Sequence, residues 1–129
     1  MKYSVIIPTF NHCNDLLIPC VESIFNYSHV YDIELIISAN GCVDNTRDYL
    51  NFLSEHYAAL GLSENLKIIW HNEQLGFAKA TNEGIKAATT DYITLVNNDV
   101  VFLHQPKNRW LDMLYKNFDD PEVGISSVL

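Results

Sequence analysis

Basic residues are scarce in this sequence and are nowhere clustered. Lys and Arg number 8 against 16 Asp and Glu, which gives a formal net charge of −8 at pH 7. Proteins that bind nucleic acid generally carry a basic face, so this composition argues against a nucleic-acid partner. An acidic chain can still bind a nucleotide if a divalent cation or helix N-termini neutralise the phosphates locally.

Cysteine is also rare. Cys13, Cys20 and Cys42 are the only three, and no two of them form a C-x-x-C pair. An odd number of dispersed cysteines favours reduced thiols in a cytoplasmic setting. No His/Cys spacing typical of a zinc site is present.

Long hydrophobic runs are missing as well. No stretch approaches the roughly 20 apolar residues of a membrane-spanning helix. The apolar run at the N-terminus stops at Pro8, which is unlike a signal peptide. We therefore expect a cytoplasmic protein, either soluble or peripheral to the inner face of the membrane.

What the chain does contain is a regular alternation of strands and helices. Short β-branched runs predict strands over residues 4–9, 33–38, 66–70, 91–96 and 122–129. Helical spacing predicts helices over residues 17–27, 44–57, 76–88 and 110–118. Pro19 is expected in the first turn of the first helix, where a missing N–H costs least.

This alternation predicts one α/β domain with a mostly parallel sheet and helices on both faces. Ligands of such sheets bind beyond the carboxyl ends of the strands. Three polar segments follow predicted strands at that edge, namely residues 9–11, 38–44 and 97–99. They are therefore expected to converge on one binding site.

Four segments, in order, resemble the N-terminal half of family-2 glycosyltransferases. They are the opening strand and loop (5–11), the base-binding turn (34–46), an N-x-G-x-x-x-A-x-N-x-G-like helix start (72–85) and the strand that ends in a D-x-D motif (91–99). The resemblance implies a Rossmann-like GT-A three-layer sandwich. It also implies that residues 1–129 are a single nucleotide-sugar-binding domain, incomplete at the C-terminus.

The same resemblance implies a divalent cation, Mg²⁺ or Mn²⁺, with Asp99 as its protein ligand. Two positions depart from the family pattern: Asn97 replaces the first acidic residue of D-x-D, and Ala39-Asn40 stands in the base-binding turn where the family usually has acidic or Asp-Asn residues. Asn40 can still pair with a pyrimidine edge, since an amide both donates and accepts hydrogen bonds. The resemblance to the family implies a UDP or dTDP sugar in preference to a GDP sugar.

The expected donor site combines base and ribose contacts from the first loop with diphosphate contacts from the third helix. Asp44 has two open roles, one in its own turn and one as a helix cap. Of five scattered histidines, His104 is the one candidate site residue. The full set of expected donor-binding residues is Thr9, Phe10, Asn11, Asn40, Asp44, Gly76, Lys79, Asn97 and Asn98.

The expected reaction is metal-assisted sugar transfer to an acceptor hydroxyl, such as that of a saccharide or glycoconjugate in polysaccharide biosynthesis. Inverting transfer needs a general base, and the resemblance places that base beyond this chain. Asp119, Asp120 and Glu122 are not expected to reach the acceptor. The alternative is a catalytically silent nucleotide-binding or interaction module. An apolar edge near residues 125–129 further predicts a homodimer.

Overall fold

A computed structural model describes residues 1–128 and shows four parallel strands in one sheet. The strands are β1 (Tyr3–Thr9), β2 (Ile33–Asn40), β3 (Leu66–His71) and β4 (Ile93–Leu95). Their spatial order is β3-β2-β1-β4, so β1 and β2 are central. The carboxyl ends of all four strands lie at one edge, as the sequence predicted.

Four α-helices connect and flank these strands. They are α1 (Ile18–Tyr27), α2 (Thr46–Ala59), α3 (Phe77–Ala87) and α4 (Arg109–Tyr115). A π-helical turn, Cys13–Leu17, leads into α1. Pro19 lies in the first turn of α1, as predicted. No helix within residues 1–128 is long and apolar enough to cross a membrane.

The helices form layers on both faces of the sheet, which confirms the predicted three-layer α/β sandwich. On one face, Val5, Ile7, Leu35 and Ile37 are fully buried in a core shared with α1, α2 and α4. On the other face α3 packs across β1 and β2. The continuous burial of β1 and β2 explains why their sequences are apolar without alternation.

A buried carboxylate ties the sheet together at the end opposite the polar edge. Glu34 of β2 is fully buried and accepts hydrogen bonds from Ser4 Oγ at 2.6 Å, Thr89 N at 2.9 Å and Thr89 Oγ1 at 2.8 Å. Lys67 Nζ of β3 lies 2.6 Å from Glu34 Oε1. These contacts join β1, β2, β3 and the segment after α3, so the group stabilises the framework behind the polar edge.

The prediction of a fifth strand over residues 122–129 is wrong for residues 122–128. Residues 122–128 contain no strand, and Leu129 lies outside the described part of the chain. A strand needs a neighbour for its backbone hydrogen bonds, and none of the four strands pairs with this segment. Ile125 and Val128 are exposed, as predicted, with 90% and 80% of their surface accessible.

The fourth strand is shorter than its apolar pattern predicted. β4 spans three residues where six were expected, although the backbone ladder to β1 extends slightly further. Ser4 N donates to Tyr92 O at 2.9 Å, and Val96 N donates to Ile6 O at 2.9 Å. The chain therefore reaches residues 97–99 in the register that a longer strand would have given.

Candidate nucleotide-sugar site

A cleft of about 400 Å³ lies beyond the carboxyl ends of β1, β2 and β4. Its position is the one that the topology predicts, because the central strands and β4 all point their ends toward it. Its walls come from the β1 loop, the end of β2, the segment before α3 and the turn after β4. The lining residues are Pro8, Thr9, Phe10, His12, Leu16, Asn40, Gln74, Phe77, Asn97, Asn98 and Asp99.

The cleft brings together six of the residues expected at the site, and some of them contact each other directly. Thr9 Oγ1 at the end of β1 accepts a hydrogen bond from Asn98 Nδ2 after β4 at 3.0 Å. Phe10 beside it is 40% exposed, so its ring surface is available to a ligand. The six are Thr9, Phe10, Asn40, Asn97, Asn98 and Asp99.

Asn40 has a structural task in addition to its place in the cleft. Its side chain is 5% exposed, and Oδ1 accepts a hydrogen bond from Leu75 N at 2.6 Å. The amide oxygen thus holds the segment before α3, and Nδ2 is the donor group of this side chain. Ala39 is fully buried and faces the core instead of the cleft.

Gly41 allows the turn after β2 to lie close to the segment before α3. Its φ is +74°, and a Cβ at this position would lie 2.6 Å from Gln74 N. Gly41 N also donates to His71 O at 3.1 Å. Only glycine fits both the backbone conformation and the space, so this contact sets one wall of the cleft.

Asn11 lies behind the cleft and joins the β1 and β2 loops. Its Oδ1 accepts a hydrogen bond from Val43 N at 2.8 Å, and its backbone N donates to Cys42 Sγ at 3.3 Å. Asn11 does not line the cleft. It therefore shapes the site through the two loops, where the sequence had predicted a contact with base or ribose.

Asp44 shows the geometry of the capping alternative. Oδ1 accepts from Thr46 N at 3.1 Å and from Thr46 Oγ1 at 2.5 Å, while Oδ2 accepts from Cys13 N at 3.0 Å. Burial raises the pKa of this carboxyl, but the hydrogen bonds from Thr46 and Cys13 outweigh it and hold the pKa below its usual value. Asp44 thus fixes the start of α2 and of the π-helical turn outside the cleft lining.

Gly76 and Lys79 also lie outside the residues that line the cleft. Gly76 precedes α3 with φ +85°, a conformation suited to glycine, and its carbonyl accepts the Ala80 N–H at 3.1 Å. Lys79 is exposed on the first turn of α3. Neither residue lines the cleft, so their expected contact with the diphosphate stays a prediction.

The expected metal ligand, Asp99, is an exposed carboxylate at the cleft. Within residues 1–128 no group of three or more His, Cys, Asp or Glu side chains gathers into a metal site. A single carboxylate beside the amides of Asn97 and Asn98 fits a hard cation such as Mg²⁺ or Mn²⁺. Such ions are often bound by one or two carboxylates together with substrate phosphates and water.

His104, the histidine that the sequence offered as a candidate, packs outside the cleft. Its ring packs edge-on against Tyr27, with the ring centroids 5.9 Å apart, and it does not line the cleft. The histidine in the cleft is His12, which follows the end of β1 by three residues. The loop position of His12 was the available signal, since the sequence had already placed residues 9–11 at the site.

The sequence did not predict the cleft residues that come from α3 and the segment before it. Phe77 is the first residue of α3 and is 63% exposed, and Gln74 lies in the segment held by Asn40. Pro8 and Leu16 complete the missed lining residues. Gln74 and Phe77 lie in the helix-start segment 72–85, where Gly76 and Lys79 had been predicted as ligand contacts, so loop packing decides which residues of the segment reach the cleft.

A family model described as glycosyl transferase family 2 matches residues 4–128. The glycosyltransferase GlyG of Streptococcus pneumoniae is 28% identical over 123 residues, which cover 95% of this chain and 36% of that protein. YibD of Escherichia coli, an uncharacterised glycosyltransferase, is 32% identical over 98 residues, which cover 76% of this chain and 26% of that protein.

Solved structures show the same fold. The mannosyltransferase PcManGT of Pyrobaculum calidifontis, in complex with GDP-Man and Mn²⁺, matches with a TM-score of 0.79 and 22% identity, over 95% of this chain and 34% of that one. Residues 1–349 of S. aureus TarS, in complex with UDP-GlcNAc, match with a TM-score of 0.68 and 21% identity, over 91% and 32%.

The chain spans about a third or less of the length of these proteins. The structural matches support the GT-A arrangement of sheet and helices. The family model covers nearly every residue and confirms the resemblance that the four sequence segments carried. This chain belongs to glycosyl transferase family 2.

Proposed function

We propose that this chain forms the donor-binding part of an enzyme that transfers a sugar from a nucleoside-diphosphate sugar to an acceptor hydroxyl. The observation that carries the proposal is the convergence of Thr9, Asn40 and Asp99 on one cleft from three different strands. The cleft volume of about 400 Å³ lies within the range of small-molecule sites. Family membership supplies the reaction class.

In this proposal Asp99 holds Mg²⁺ or Mn²⁺ against the donor's diphosphate. A bound cation would stabilise the negative charge that the diphosphate gains as it leaves. Asn97 and Asn98 are neutral, so they orient the ligand through hydrogen bonds and add no charge. The Mn²⁺ in the PcManGT complex supports the choice of metal.

The nucleotide proposed is UDP or dTDP. Asn40 Nδ2 is a donor at the end of β2 that can pair with a carbonyl of a pyrimidine base. The exposed rings of Phe10 and Phe77 offer apolar surface on two walls for the base or the sugar. The similar structures hold either UDP-GlcNAc or GDP-Man, so the preference for UDP or dTDP rests on the resemblance carried by the sequence segments.

Isothermal titration calorimetry tests this function with UDP-GlcNAc and dTDP-glucose, each with Mn²⁺. Loss of the charged ligand in Asp99→Asn should weaken Mn²⁺-dependent donor binding by roughly ten-fold or more. Asp91→Asn is the matched control, because Asp91 is an exposed carboxylate at the opposite end of the β4 segment. Equal binding by the Asp99→Asn and Asp91→Asn variants would contradict the metal assignment.

An active transferase and a silent binding module differ in whether a general base faces the acceptor. Within residues 1–128 Asp99 is the one carboxylate that lines the cleft, and Asp119, Asp120 and Glu122 do not line it. We propose that the base comes from outside these residues. A coupled assay for UDP release, with and without saccharide acceptors, tests this proposal: the chain should bind the donor without turnover, and acceptor-dependent UDP release by this chain would contradict it.

A further inference from the structure

The cleft that receives the donor is short of positive charge. Its eleven lining residues include one carboxylate, Asp99, and neither Lys nor Arg. A diphosphate carries two or more negative charges, and the whole chain has a net charge of −8. His12 is the one lining side chain that can become a cation, which makes it the natural partner for a phosphate oxygen.

The backbone holds His12 firmly at the cleft. Asn11 and His12 have φ values of +52° and +54°, which non-glycine residues rarely adopt. The His12 carbonyl accepts hydrogen bonds from both Leu16 N at 3.0 Å and Leu17 N at 3.1 Å. An unusual backbone conformation kept by several contacts is typical of functional positions.

The ring of His12 is oriented by a carboxylate. His12 Nδ1 lies 3.0 Å from Asp15 Oδ2, and the two side chains are 61% and 66% exposed. An ionised carboxylate only accepts hydrogen bonds, so Nδ1 must carry a proton in this pair. Nε2 is then a lone-pair acceptor in the neutral ring and becomes an N–H donor when the ring is protonated.

We propose that protonated His12 donates a hydrogen bond from Nε2 to a phosphate oxygen of the nucleoside-diphosphate sugar. Asp15 acts as a positioning residue, because its carboxylate contacts Nδ1 and fixes the ring. The inference rests on the proposed donor-binding function and adds a cation supplied by the protein itself. The charged groups on the elements around His12 are Asp15, which contacts its ring, Asp44, which accepts a hydrogen bond from Cys13 N, and Asp99, which lines the same cleft.

Calorimetry with UDP-GlcNAc at pH 6 and pH 8 tests the contact, because the diphosphate diester of this probe does not titrate in that range. The unmodified chain should bind more tightly at pH 6 by roughly five-fold, the scale of one charge-assisted hydrogen bond at an exposed site. His12→Gln should lose this difference and bind at pH 6 as weakly as at pH 8. His12→Lys should restore tight binding at both pH values.

Two controls separate this contact from a general loss of structure. His104→Gln removes a histidine outside the cleft and should behave as the unmodified chain does. Uridine, followed by saturation-transfer NMR, lacks phosphate and should bind equally to the unmodified chain and to His12→Gln. Equal losses of uridine and UDP-GlcNAc would overturn the proposal, as would an unchanged pH response in His12→Gln. No binding by the unmodified chain would overturn the donor function itself.

Discussion

At the scale of single residues, Glu34 shows how a fully buried carboxylate stays ionised in this sheet. Burial raises the pKa of its carboxyl, but hydrogen bonds from Lys67, Ser4 and Thr89 favour the charged form and bring the pKa down to about 2. The unfolded chain would protonate this group near the ordinary value of 4.5. The ionised Glu34 carboxylate therefore stabilises the folded state above about pH 4.5. This stabilisation is lost as the pH falls from 4.5 to about 2.

Glu34→Gln should accordingly lower the free energy of unfolding at pH 7 by roughly 1–3 kcal/mol, since Lys67 loses its charged partner and the bonds from Ser4 and Thr89 lose a charged acceptor. The loss should shrink as the pH falls toward 2. Urea denaturation at pH 7 and pH 3 measures it, with Glu83→Gln as the control on an exposed helical pair with Lys86. Equal stability of the two variants at pH 7 would show that the buried network adds nothing.

The sequence predicted the site residues that lie at the ends of strands, but not the contacts of residues within the loops. Thr9, Asn97 and Asp99 follow apolar runs directly, and parallel topology places them together. Asn11 and Asp44 were predicted as ligand contacts but bond to backbone groups of neighbouring loops. Such loop-to-loop bonds depend on three-dimensional packing, which leaves no periodic trace in the sequence.

At the scale of elements, the contact between α3 and the sheet depends on one small residue. Gly84 lies in α3 directly over β1, and a Cβ at this position would lie 2.5 Å from Ile6 Cγ2. Ile6 is fully buried, so its side chain has little room to move. The helix can therefore approach the sheet this closely only with glycine at position 84.

Gly84→Ala should lower the free energy of unfolding by roughly 1–3 kcal/mol, the usual cost of overpacking a core. The better helix propensity of alanine offsets part of this cost. Gly124→Ala is the control, because a Cβ there meets no atom within 4 Å. Thermal unfolding followed by circular dichroism measures both variants. If Gly84→Ala proved as stable as Gly124→Ala, the tight α3 contact would be refuted.

Apolar runs and helical spacing predicted four strands and four helices in their correct order. The predicted bounds of the strands were less accurate where the chain leaves the core. β4 is three residues long, and residues 122–128 are not a strand although their composition favours one. Strand formation needs a pairing partner, and local composition does not say whether one is present.

At the scale of the whole molecule, the sheet has one uncovered apolar region. Leu95 of β4 is 53% exposed and Ile93 is 39% exposed. Leu95 pairs with Ile6, which faces α3, but α3 packs over β1 and β2 and leaves this part of β4 open. Exposed apolar groups on an edge strand favour association with another polypeptide.

We therefore expect the 129-residue chain to self-associate through β4. Sedimentation velocity should show the average mass rising with concentration, and Leu95→Glu should keep the chain monomeric. Leu60→Glu at the end of α2 is the control, since Leu60 is similarly exposed at 51% but lies away from β4. A monomer at every concentration would contradict this expectation.

In the proposed function β1, β2 and β4 carry their ends to one site for a metal-bound sugar donor. Paramagnetic broadening by Mn²⁺ in ¹H–¹⁵N NMR spectra tests this convergence. With UDP-GlcNAc present, the amide signals of Thr9, Asn40 and Asp99 should broaden together, while those of Thr90 and Tyr92 at the opposite end of the sheet stay sharp. Strong broadening at Thr90 and Tyr92, with the three cleft residues unaffected, would contradict the account.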